Sequence, residues 1–178
     1  MLAFLRLLAR ALTGKLNAME FALGAYFGVF LGLLPIGEMD PGTGWFGLNG
    51  FWLLTFFVFL LLRASLPAGL LFLALFHFLG RLFLDSVSFG LGHWLLEQGL
   101  PESLGRSLYL HLPAFQWHTY FGIGSMMLAM VLSPLLALAS YRFFQKKIPQ
   151  WRQRLADRKA VRSLSNSVTG RFLVWWLG

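Results

Sequence analysis

An all-α, polytopic membrane protein is the fold class this sequence predicts, and three observations carry it. Hydrophobic residues make up 57% of the 178 and charged residues only 12%, where a soluble domain carries about 25% charged. Mean hydropathy is +0.66. The apolar residues come in long runs closed by Arg, Pro or Gly, the pattern of helices that cross a bilayer. About four transmembrane helices are expected, the first short or re-entrant, with interfacial amphipathic helices beside them. The chain is one membrane domain: an interfacial helix over 1–17, a membrane core over 18–144 and a basic amphipathic tail over 145–178.

The first segment, Met1 to Asn17, has Arg6 and Arg10 at helical spacing inside a leucine-rich run. A signal-peptide core is uninterrupted and ends in a small-residue cleavage site, so an interfacial helix fits better. The stretch from Glu20 to Trp45 organises the rest of the chain. Gly24, Gly28 and Gly32 recur every four residues and form one ridge without side chains on a helix. Such a ridge lets a neighbouring backbone approach closely, and alanine is expected to be tolerated there better than leucine. Pro35 ends the run, and Gly37, Pro41, Gly42 and Gly44 predict a turn-rich loop holding Glu38 and Asp40. Phe21 to Leu34 is short against a span of about 20 residues. It is either a short first span or the descending arm of a re-entrant hairpin. The ladder, with Pro35, serves helix packing or lines a portal; packing is the simpler reading.

A second span is expected over Gly47–Leu62, closed by Arg63. A third helix starts near Ala68, loses apolar character after Leu84 and keeps helical spacing to about Gln98. Gly99 to Trp117 carries Pro101, Gly105 and Pro113 and is expected along the membrane surface. The last span is about Tyr120–Phe144, with a kink at Pro134. The tail is basic and amphipathic to about Leu164, and Trp175 and Trp176 favour the interface.

Net charge is +8, and nine of the fifteen basic residues lie from Arg142 to Arg171. Anionic lipid headgroups fit this block, with Arg152, Arg154, Arg158 and Lys159 as contacts. Nucleic acid does not fit, because the aromatics sit in the apolar runs and not among the bases. The loops opposite the basic ones carry Glu38, Asp40, Asp85, Glu97 and Glu102. Four spans with both termini in the cytoplasm then satisfy the positive-inside rule.

His77, Arg81 and Asp85 stand four residues apart on the third helix. Four residues turn an α-helix by only about 40° beyond a full turn, so the three share one face. Arg81 and Asp85 make a natural ion pair at this spacing. The stripe is either a satisfied cluster fixing helix register or a lining for a lipid headgroup, a proton or an ion. His93 and Glu97, with His111 and His118, fall short of a fixed-spacing metal motif. There is no cysteine, which excludes disulfides, thiolate metal sites and thiol nucleophiles. Ser125 reads as a small residue at a helix interface, and Ser133 as a hydroxyl for backbone freed by Pro134. No catalytic residue, cofactor or metal is expected, and the chain does not read as an enzyme.

The segments ALGAYFGVFLGLLPIG, FFVFLLLRASLP and LFHFLGRLFLDSVSFGLGHWLL resemble a family of small, uncharacterised bacterial inner-membrane proteins. That pattern is a Gly-xxx-Gly-xxx-Gly-Leu-x-Pro opening, an apolar helix ending in Arg, and a Phe-rich helix with an Asp before a Gly-containing stretch. A larger domain-of-unknown-function family shares the opening. The likeness covers about Asn17 to Leu96. The family has an Asn pair near the start of its last span; here Phe121-Gly122-Ile123-Gly124 stands there, and no role is carried over. The resemblance implies the bacterial inner membrane and work beside a larger envelope protein with a periplasmic part. Two readings compete. One is a non-enzymatic subunit anchoring or gating such an assembly, in lipid transport between membranes. The other is a small transporter or channel lined by His77, Arg81 and Asp85, against which stands the lack of a visible inverted repeat.

Overall fold

The computed structural model describes residues 17–39 and 46–156. The expected interfacial helix over 1–17, the loop residues Asp40 to Gly44, and Arg158, Lys159 and the end of the tail lie outside the described residues. Among the described residues the fold is all-α apart from one small hairpin.

The first helix, α1 (Ala18–Leu33), starts where Asn17 accepts a hydrogen bond from the Met19 amide, with Glu20 in its first turn. Both satisfy or complement the free N–H groups of a helix start. After it come two three-residue strands, β1 (Gly37–Met39) and β2 (Phe46–Leu48), paired antiparallel with Glu38 opposite Gly47. The sequence predicts only a loop here. The Asn49 amide donates to Ile36 O at 2.9 Å and closes the neck of this hairpin. Pairing two strands satisfies backbone groups that a bare loop would leave open.

Helix α2 (Gly50–Leu61) is shorter than expected, because its first expected residues belong to β2. Buried Asn49 caps it, accepting from the amides of Phe51 and Trp52 at 3.0 and 3.2 Å. A connection at Arg63–Ser65 leads into a continuous helical rod, Leu66–Gly99. The rod comprises α3 (Leu66–Leu79), a π turn at Gly80–Leu84, α4 (Asp85–Trp94) and a second π turn at Leu95–Gly99. Helix α5 (Glu102–His111) and a single 3-10 turn at Pro113–Phe115 follow. Gln116 takes a left-handed conformation at φ 57° and donates from Nε2 to Gly47 O at 2.7 Å, tying this turn to the hairpin.

The final helix, α6 (Tyr120–Ala156), is longer than the expected span and runs on through Pro134 and Pro149 into the basic tail. Ser133 donates to Ala129 O, four residues back. The carbonyl freed by Pro134 is that of Met130, so the hydroxyl serves its neighbour.

Helix α1 is the hub. The hypothetical side chains of Gly24, Gly28 and Gly32 would meet Ala68, Phe72 and Phe76 in turn. The two helices therefore run parallel, four residues matching four at every step. Phe59 of α2 is buried and its ring lies over Gly69 of α3. On the other side of α1, Val29, Phe30, Leu33 and Leu34 pack with Ala129, and Phe21 packs with Phe144. Helix α6 is thus antiparallel to α1. A second close seam joins α4 to α6: a methyl on Gly92 would run into the Tyr120 carbonyl, and one on Gly124 into that of Ser88. Ser125 is fully buried beside it, donating to Gly122 O at 3.0 Å.

Two helices among the described residues are long and apolar enough to cross a membrane, Leu66–Gly99 and Tyr120–Lys147. Their outward faces carry exposed Leu75, Phe78, Leu82, Phe83, Val131 and Leu135. A large apolar surface of this kind is foreign to a monomeric soluble protein.

Candidate functional site

The end of α1 is where the sequence's two sets of candidate residues come together. Pro35 has no N–H, so Leu31 O loses its normal helical donor. The Trp52 indole Nε1 donates to that oxygen instead, at 2.9 Å. The Leu34 amide bonds Phe30 O. Among the described residues no backbone amide bonds the carbonyls of Gly32 or Leu33. The negative end of the α1 dipole is therefore open on one side.

That side faces a cleft lined by Gly32, Leu33, Leu34, Pro35, His77, Gly80, Arg81, Asp85 and Phe121. The space open to the centre of a water-sized guest is about 20 Å³, enough for about one such guest. The ladder glycine Gly32, Pro35 and all three residues of the polar stripe border it. Gly24 and Gly28 do not: their faces are filled by α3.

The stripe itself differs from the sequence expectation. Arg81 and Asp85 form no ion pair; the acid–base contact among the described residues is His93 Nε2 with Glu97 Oε2 at 3.3 Å, an ion pair only when His93 is protonated. The cause is the π turn between them, closed by a bond from the Asp85 amide to Gly80 O five residues back. The 40° offset behind the expected pairing holds for an α-helix, and a wider turn places Asp85 differently around the axis. Arg81 is exposed, while His77 and Asp85 are half-buried. π turns inside long helices recur at functional sites.

Towards the far end of the rod, Tyr120 donates to Glu97 Oε1 at 2.7 Å, and the His93 and Tyr120 rings lie 5.1 Å apart. His111 turns to Ser107 of its own helix instead. Among the described residues no group of three His, Cys, Asp or Glu side chains is placed to hold a metal. Of the expected headgroup contacts, Arg152 and Arg154 lie on the last turns of α6.

Sequence reasoning missed Trp52, whose role depends on the missing amide of Pro35, and Gly92, which meets α6 only in the fold. The pair Pro35 and Trp52 was visible as residue types, but nothing local joins them.

Fold and site together define, among the described residues, an all-α protein with two helices able to cross a membrane and a small charged cleft at the end of α1. No protein family, curated protein or solved structure matches this chain.

Proposed function

We propose that this chain is a four-span protein of the bacterial inner membrane, both termini cytoplasmic, acting as a non-enzymatic subunit. It anchors or gates a larger envelope assembly that carries lipid between membranes. One observation carries the reading: the helices close on one another along glycine seams that leave no room for a methyl, while the outward helix faces are broad and apolar. Apolar faces of that breadth favour a role played through the surface. Helices α1 and α2, of 16 and 12 residues, reach about 24 and 18 Å. They supply the first two spans where the bilayer thins to meet them. The basic tail rests on anionic headgroups through Arg152, Arg154, Arg158 and Lys159.

The test is purification from native membranes in a mild detergent. A large partner recovered in fixed stoichiometry is the expected result. Recovery of the chain alone, or only with copies of itself, refutes the subunit reading. It then favours a small transporter, for which the specific support is the meeting of Arg81, Asp85 and the open end of α1 at a π turn.

A further inference from the structure

The cleft holds charges of both signs without joining them. Arg81 reaches outward, and exposed Phe78, Leu82 and Phe83 flank it on the same rod. Asp85 is half-buried and borders the same cleft as Gly32 and Leu33, whose carbonyls take no backbone amide among the described residues. Neither side chain has an ion-pair partner among the described residues. A charge at membrane depth takes a partner by default. The arrangement is a cation on the outer rim, and a carboxylate plus the negative end of a helix within.

We infer that this cleft binds the headgroup of a zwitterionic aminophospholipid, of the phosphatidylethanolamine class. Its phosphate sits on the Arg81 guanidinium, which holds phosphate oxygens in a two-pronged contact. Its primary ammonium enters the cleft, where Asp85 and the Gly32 and Leu33 carbonyls accept its three hydrogens. The space of about 20 Å³ admits one ammonium, a group close in size to water. Three N-methyl groups would both overfill it and remove every donor. Acyl chains run along Phe78, Leu82 and Phe83. The short α1 and α2 thin the bilayer on this side and bring headgroups inward to Arg81. The inference rests on the membrane placement proposed above and is independent of any partner subunit.

The experiment uses the full chain in nanodiscs of phosphatidylglycerol mixed with phosphatidylethanolamine or phosphatidylcholine. Native mass spectrometry reads the lipid each chain retains on release. The wild type should retain the ethanolamine lipid about tenfold over the choline lipid, the worth of a charge-assisted hydrogen bond. Asp85→Asn should lower that ratio several-fold, and Arg81→Gln should weaken both lipids alike. Equal retention by the wild type, or an unchanged ratio in Asp85→Asn, overturns the proposal. A series of mono-, di- and trimethylated headgroups on the wild type decides the matter even if a variant fails to fold; retention must fall with each methyl. Soluble phosphoethanolamine should displace the lipid only weakly. Displacement as effective as by the whole lipid would assign the cleft to a water-soluble phosphate ester and refute a lipid site. Because the isolated chain is measured, failure here leaves the subunit reading standing.

Discussion

Gly28→Ala adds one methyl to the seam between α1 and α3, and its cost can be worked from the structure. The new Cβ would run into the Gly69 carbonyl oxygen, lie 2.7 Å from the Phe72 Cβ and 3.1 Å from the Gly69 carbonyl carbon. Ordinary contact begins at 3.4 Å, and neither obstacle is the tip of a flexible side chain. The helices must part by several tenths of an ångström along a face where every neighbouring contact then weakens. Overpacking of this kind costs about 1–3 kcal/mol. The better helix propensity of alanine returns about 0.5–1 kcal/mol. Because the obstacle is backbone, the upper half of that cost applies, and the net loss is about 1–2.5 kcal/mol, which for a chain of this size lowers the Tm by about 2–10 °C. Alanine at this position is therefore not the mild change that a small-residue interface suggests. Gly32→Ala should cost less, since its nearest obstacle is at 2.8 Å. Gly90→Ala is the control: nothing lies within 4 Å of its added methyl, so the Tm should hold or rise. The assay is thermal unfolding in one detergent, followed by tryptophan fluorescence. A Gly28→Ala variant that unfolds with the wild type would show that α1 and α3 do not meet along this ridge.

Two further outcomes rest on the same geometry. Trp52→Phe strands the Leu31 carbonyl and should destabilise by about 1–3 kcal/mol; an unchanged Tm argues against the indole bond. Reporter fusions after Gly178 and within Gly99–Pro113 should read cytoplasm and periplasm respectively, and a cytoplasmic signal from the middle stretch defeats the four-span arrangement.

Some of this fold was legible in the sequence, for a physical reason. The glycine ladder could be read because four-residue spacing has one meaning on a helix, a face open to another backbone. The rod from Leu66 and the last helix could be read because apolar runs of that length serve few other ends. What escaped was whatever depends on a departure from α geometry or on distant partners. The π turn at Gly80–Leu84 leaves no mark in the apolar period, so Arg81 and Asp85 were expected to pair. Strands of three residues are too short to show alternation, so the hairpin read as a loop. Gly92 and Gly124 look like isolated glycines until α4 and α6 are laid side by side. At the site, the residue types were visible in the stripe, and the cleft they border was not, because it needs the end of α1 as its other wall.

The parallel seating of α1 on α3 has a consequence for biosynthesis. Two parallel helices need a return segment between them, and α2 is that segment. Helix α1 leaves the ribosome before the surface it fits exists, and α6, which covers its other side, comes last among the described elements. At roughly 5–20 residues per second, the roughly 45 residues between Leu33 and the end of α3 take about 2–9 s to emerge. Throughout that interval a helix of 16 residues waits with its glycine ridge uncovered. In the membrane placement proposed above, the insertion machinery has to shelter α1 until its two neighbours arrive. The ridge that locks the finished fold is thus also its most vulnerable surface during synthesis.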